Sequence, residues 1–190
     1  MSTPGQFTAF TRLLHWLMAA MVLTMLFVGV GMVSTVSTRY HPLLAVHRPL
    51  GIAILVLVVI RLINRLLNPG PALPAHLNSL ERFAARASQV VLYALMMLMP
   101  LVGWAMLSAA RYPIVLFAGI HLPPILPHEP MLYALLRRTH TVLAYVLFAT
   151  FLAHFGAALM HALIYRDGVF ASMAPWRKAG PGYTAPHQSR

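Results

Sequence analysis

The sequence predicts an all-α, integral membrane four-helix bundle, and three observations carry that expectation. The 190 residues are 59% hydrophobic and 9% charged, whereas soluble globular domains carry about 25% charged residues. The few charges leave uncharged windows at 13–38, 87–110 and 139–165, each as long as the roughly 20 apolar residues that a bilayer crossing needs. The basic residues gather at the ends of these windows, where topology signals belong.

The first helix is expected at about 9–34. Its window is too long, and too poor in a small-residue cleavage site, to read as a removable signal peptide, so a retained N-terminus is expected. The second, at about 43–66, is interrupted by Arg48 near its start and by Arg61 and Arg65 near its end, where long side chains are expected to reach back to the headgroups. The third is expected at about 84–110 and the fourth at about 138–166. Between them, residues 112–133 carry Tyr112, Phe117, Pro123, Pro124, Pro127 and Tyr133 without a helix period, and are expected to lie as a lid over the helix ends. Residues 167–190, with Pro175, Gly180, Pro181, Gly182 and Pro186 among basic residues, read as a mobile tail. There is no internal repeat, so residues 1–190 are expected to form a single domain.

This arrangement puts the N-terminus, the 67–83 connection and the tail on one side. Nine of the 14 basic residues fall there: Arg12, Arg61, Arg65, Arg82, Arg86, Arg166, Arg177, Lys178 and Arg190. The other side holds five: Arg39, Arg48, Arg111, Arg137 and Arg138. By the positive-inside rule both termini are expected in the cytoplasm. Because the net charge of +11 sits at helix ends, nucleic-acid binding is set aside. The chain has no cysteine, which excludes disulfides, thiolate-held clusters and covalent c-type haem and leaves histidine as the metal ligand.

Ten histidines are present, and an ionisable residue inside a span is a functional hypothesis by default. His15, His47, His140, His154 and His161 fall in or beside predicted helices; His41, His76, His121, His128 and His187 fall in connections or the tail and read as solvated. His140 and His154 are 14 residues apart on one helix, a rise of about 21 Å with an offset of about 40°, so they face one way at two depths. His47 is level with His140 toward one side, and His15 is near the level of His154 toward the other. That gives one pair per leaflet, and a haem in a helical bundle needs two axial ligands from facing helices at one depth. Each of the four is followed at i+4 by a small residue, Ala19, Gly51, Ala144 and Ala158, whereas His161 is followed by Tyr165. This favours His154 over His161 as a ligand, since a flat porphyrin needs clearance beside its ligand. The alternatives are histidines that only hydrogen-bond between helices, or a proton-relay or transition-metal site. Methionines such as Met96, Met97 and Met99 are expected to pack.

The stretches RLLHW at 12–16, VHRPLGIAILVLVVIRLINR at 46–65, MPLVGW at 99–104, RRTHTVLAY at 137–145 and AHFGAALMHALIYRDG at 153–168 resemble, in this order, the bacterial cytochrome b561 family of four-helix di-haem membrane cytochromes. The resemblance runs from about Phe10 to Trp176. It implies two haem b groups, one on His15 and His154 and one on His47 and His140, in agreement with the pairing above. It also implies a place in the bacterial inner membrane, with lipid around the chain, which is expected to be a monomer. A well-understood member that the chain looks like oxidises periplasmic superoxide to oxygen and passes the electrons to ubiquinone, while other members are described only as electron carriers; superoxide as donor and ubiquinone as acceptor are the expected reaction. The alternative is a cytochrome b subunit relaying electrons between a dehydrogenase or hydrogenase partner and the quinone pool.

Arg39, Arg48, Arg111, Arg137 and Arg138 stand against the single acid Glu129 on the outer face, and are expected to steer an anion or to pair with haem propionates. No nucleophile or acid/base pair is required. For the quinone, the expectation rests on His161, seven residues beyond His154, about 20° around the helix and about 10 Å nearer the cytoplasm. Trp16 is a candidate wall for that site or an interfacial anchor, and Arg82 and Arg86 are expected at headgroups.

Overall fold

A computed structural model describes residues 7–35, 38–73, 77–116 and 119–174. Four long helices dominate: α1 (Ala9–Ser34), α2 (Tyr40–Leu67), α3 (Ser79–Ala109) and α4 (Pro130–Met160). A π-helical turn, His161–Tyr165, prolongs α4, and a short helix, α5 (Val169–Met173), follows it. All four long helices are long and apolar enough to cross a membrane. Their outward surface is what lipid requires: Phe27, Leu66 and Leu163 are each well over half exposed.

Three helices start where local chemistry closes their first turn. Thr8 caps α1, its hydroxyl accepting from the Thr11 amide. Asn78 and Glu81 form a reciprocal capping box, so α3 begins at Ser79, five residues earlier than expected. Glu129 caps α4 by accepting from the Met131 and Leu132 amides, with Pro130 in the first turn. That start lies eight residues before the expected one, because a proline there loses no hydrogen bond.

Helices α1 and α2, α2 and α3, and α3 and α4 pack closely in sequence order. Met18 and Val22 of α1, Ile54 and Val58 of α2 and Met96 of α3 form the core, with Phe151 of α4 against it. By contrast, α1 and α4, and α2 and α4, have little backbone contact.

At one end of the bundle, residues 111–116 and 119–129 lie where a lid was expected over 112–133, while 130–133 open α4 instead. The lid contains a two-stranded antiparallel ladder, β1 (Ile114–Val115) with β2 (His121–Leu122), pairing Ile114 with Leu122. Trp104 Nε1 donates to the Pro123 carbonyl at 2.9 Å, and the Ile125 amide donates to Ser108 Oγ at 3.1 Å. The His128 ring N–H donates to the Ala109 carbonyl at 2.9 Å, so this histidine, expected to be solvated, fastens the lid. Beneath the lid is a cavity of about 430 Å³ whose lining includes Ser108, Arg111, His121 and His128.

At the opposite end, α5 folds back onto α1. Trp16 Nε1 donates to the Met173 carbonyl at 2.8 Å, the Phe7 amide donates to the Ser172 carbonyl at 3.2 Å, and Trp16 meets Phe170 edge to face. Residues 167–174, expected to start the mobile tail, are therefore folded, because Arg166 and Gly168 take left-handed conformations that reverse the chain. The rest of that tail, 175–190, lies outside the described residues, as do His76, Phe117 and His187.

Candidate functional site

Each of the four candidate ligands lies on a long helix, held by the packing of that helix and not by a loop. The structure brings them together in two pairs. The rings of His47 on α2 and His140 on α4 face each other with centroids 6.1 Å apart, toward the lid end. His15 on α1 and His154 on α4 do the same at 6.4 Å, toward the α5 end. Both pairs bridge helices with little backbone contact.

This spacing discriminates between roles. No hydrogen bond joins the two rings of either pair among the described residues, and His47 Nδ1 is buried without a partner. His140 Nδ1 is likewise buried without a hydrogen bond, and the Met99 backbone lies close to the ring. A metal–imidazole bond is about 2.0–2.1 Å and the ring centroid lies about 1 Å beyond the nitrogen, so two imidazoles trans across one iron have centroids about 6 Å apart. The residues present fit a bis-histidine haem at both levels. They do not fit a compact metal centre: among the described residues no three histidine, aspartate or glutamate side chains converge.

Small residues make room around the pairs. A Cβ on Gly103 of α3 would stand 3.4 Å from His140 Cε1 and 3.7 Å from its Nδ1, so a methyl there would only touch that ring and a larger side chain would crowd it. Gly51, one turn beyond His47, would meet Met25 Cε at 3.7 Å.

The largest departure from expectation is Arg61. It does not reach back to the headgroups. Its Nη2 lies 2.9 Å from His15 Nδ1, its Nη1 is 3.8 Å from Met18 Sδ, and its guanidinium stacks 5.4 Å from the centroid of the Tyr93 ring. The reason is helical phase: Arg61 is 14 residues beyond His47, on the same inward stripe as Ile54 and Val58, which are 5% and 0% exposed. The signal was present in the sequence, as the spacing that also relates His140 to His154. Arg65 lies over the Phe7 ring at 5.5 Å, and Arg12 is buried on α1. Asn64 donates to Thr11 Oγ1 at 2.8 Å, adding a buried polar link between α1 and α2 at this end.

His161 stands on the π-turn, and its Nδ1 lies 2.7 Å from Asp167 Oδ2. Since a carboxylate only accepts, the imidazole donates there. Asp167 was not singled out from the sequence; its other oxygen accepts from the Val169 amide at 3.1 Å. Trp16 neighbours His15, its ring 5.7 Å away and edge-on. Arg82 Nε donates to the Leu77 carbonyl.

At the lid end, Arg48 Nη1 donates to the Pro113 carbonyl at 3.3 Å. Arg111 is exposed at the rim of the lid cavity with φ 57°. Arg137 and Arg138 are exposed on α4 beside an open groove that also includes Tyr133 and Thr141, and Arg39 caps α2.

The prokaryotic cytochrome b561 family model matches residues 6–176. The chain is 29% identical over 175 residues to cytochrome b561 homolog 2 of Escherichia coli (strain K12), covering 90% of this chain and 93% of that protein. It is 27% identical over 173 residues to cytochrome b561 homolog 1 of the same organism, covering 87% and 94%. It is 26% identical over 170 residues to the probable superoxide oxidase CybB of Yersinia pestis, covering 87% and 93%. With four membrane-length helices and a family match over nearly its whole length, the chain belongs to the prokaryotic cytochrome b561 family, haem b cytochromes that transfer electrons in the membrane.

Proposed function

We propose that the chain is a superoxide oxidase: one membrane domain holding two b haems, one on His47 and His140 and one on His15 and His154, that moves electrons from superoxide outside to ubiquinone. The observation that carries this reading is the pair of histidine spacings, 6.1 and 6.4 Å, at two depths of one bundle. Nine of 14 basic residues on the side of the termini support both termini in the cytoplasm of the inner membrane. The lid then faces outward.

Bound haem b supplies a one-electron carrier in each leaflet. Held by two histidines, each haem would supply electron transfer at its edge, so the donor would not need to bind metal. Arg111, Arg137 and Arg138 are exposed on the outer face and attract a small anion toward the lid end. The net reaction takes two superoxide anions, one quinone and two protons to two dioxygen and one quinol. His161 donates or relays a proton to the quinone carbonyl, and Asp167 holds its ring through Nδ1 so that Nε2 is left to face the substrate. The name of the Yersinia pestis relative supports the donor, as a property of that protein.

The test is to mix oxidised purified protein with a pulse of superoxide and follow the haem bands, then add a ubiquinone analogue. Rapid reduction followed by quinone-dependent reoxidation is expected. Reduction by quinol but not by superoxide would leave an electron carrier with another donor.

A further inference from the structure

The geometry points to Arg61 as a residue that raises the reduction potential of the haem held by His15 and His154. This inference rests on the haem ligation proposed above.

Arg61 is a cation drawn into the membrane-spanning part of α2, six residues before the helix ends at Leu67. A charge in such a place is retained only when something uses it, and a buried charge is ordinarily met by an opposite one. Among the described residues no acidic side chain meets it. The three acidic residues are engaged elsewhere: Glu81 closes the start of α3, Glu129 closes the start of α4, and Asp167 receives His161. The contacts of Arg61 are an imidazole, a thioether and an aromatic face.

The contact with His15 is also reversed from the usual one. A ligating histidine ordinarily donates its second ring nitrogen to a carbonyl or carboxylate, which makes it a stronger ligand. A guanidinium has five donors and no acceptor. Placed 2.9 Å from His15 Nδ1, it cannot accept the Nδ1 proton that a neutral imidazole holding iron through Nε2 would carry, so His15 lacks there the acceptor that strengthens a ligand. The fixed charge of Arg61 acts in the same sense: one electron makes the iron site one unit less positive, so a nearby cation favours the reduced form, and does so strongly in low dielectric. At the lid end Arg48 also lies within electrostatic reach of His47, but among the described residues no guanidinium hydrogen-bonds either ring: His47 Nδ1 and His140 Nδ1 have no partner, and Arg48 Nη1 donates to the Pro113 carbonyl.

The test is a spectroscopic redox titration of the purified protein with both haems, comparing wild type with Arg61→Gln, Arg61→Met and Arg61→Lys. In both neutral variants the inner haem should fall in potential so that, at a fixed ambient potential, its reduced-to-oxidised ratio drops at least tenfold, about 59 mV for one electron. The lysine variant should keep most of the wild-type value, and the outer haem should move far less in all three. An inner potential that stays put or rises in the neutral variants while two haems remain overturns the assignment and leaves the haem ligation standing. An inner haem lost from both neutral variants and kept by lysine also overturns it, by making Arg61 a haem-retention residue. Wild-type protein that never binds an inner haem overturns both.

Discussion

Substituting Gly103 is expected to remove the outer haem while leaving the inner one. The glycine lies on α3 against His140, and a Cβ there would sit 3.4 Å from Cε1 and 3.7 Å from Nδ1. Alanine therefore makes ordinary van der Waals contact and gains about 0.5–1 kcal/mol of helix stability over glycine. Leucine adds three further carbons beside the His140 ring, which among the described residues supplies the atoms that the Cβ would meet within 4 Å. Overpacking of this kind costs about 1–3 kcal/mol. If that strain is relieved by displacing His140, retention of the outer haem weakens by about 5- to 150-fold. The assay is haem stoichiometry by pyridine haemochrome on purified Gly103→Ala and Gly103→Leu, with the reduced spectrum showing which centre remains. The alanine variant should keep two haems per chain and the leucine variant only the inner one. A leucine variant with two haems and an unchanged spectrum would refute the role given to this glycine.

Replacing His47 or His140 with alanine should remove the outer centre alone, and replacing His15 or His154 the inner centre alone; single variants that each lose both would show collapse of the bundle. Reduction by superoxide should slow as ionic strength rises and slow further in Arg111→Glu, because exposed charges act through a screened field; a salt-independent rate removes the steering role. In His161→Ala with both haems retained, quinone reduction by pre-reduced protein should fall sharply while superoxide still reduces the haems, and Asp167→Asn should lower the same rate less. Trp104→Phe removes the bond to the Pro123 carbonyl and should raise protease nicking within 111–129, without changing haem content.

The four helices were legible because lipid demands long uncharged runs, and their rough positions follow from where arginines interrupt those runs. The meeting of His47 with His140 and of His15 with His154 was legible for a related reason, since helical rise and phase fix depth and direction once the spans are placed. The starts of α3 and α4 were missed. Asn78, Glu81, Glu129 and Pro130 carry cap signals that a count of apolar residues ignores. Arg61 was misplaced because its distance from the helix end allows it to reach the headgroups, and only its phase relative to His47 shows that it turns inward. Asp167 was invisible for a different reason. Its contact with His161 depends on the π-turn and on the left-handed Arg166 after it, a change of helical pitch that no periodicity in the sequence announces. The folding back of α5 depends on Trp16 reaching a backbone carbonyl 157 residues away, and backbone acceptors leave no trace in side-chain pattern.

The central claim, that each histidine pair holds a haem, is tested most directly by counting. The purified wild-type protein should give a reduced spectrum with sharp b-type bands and a pyridine haemochrome value of two haems per chain. A value near one, or a protein without b-type bands, would contradict it.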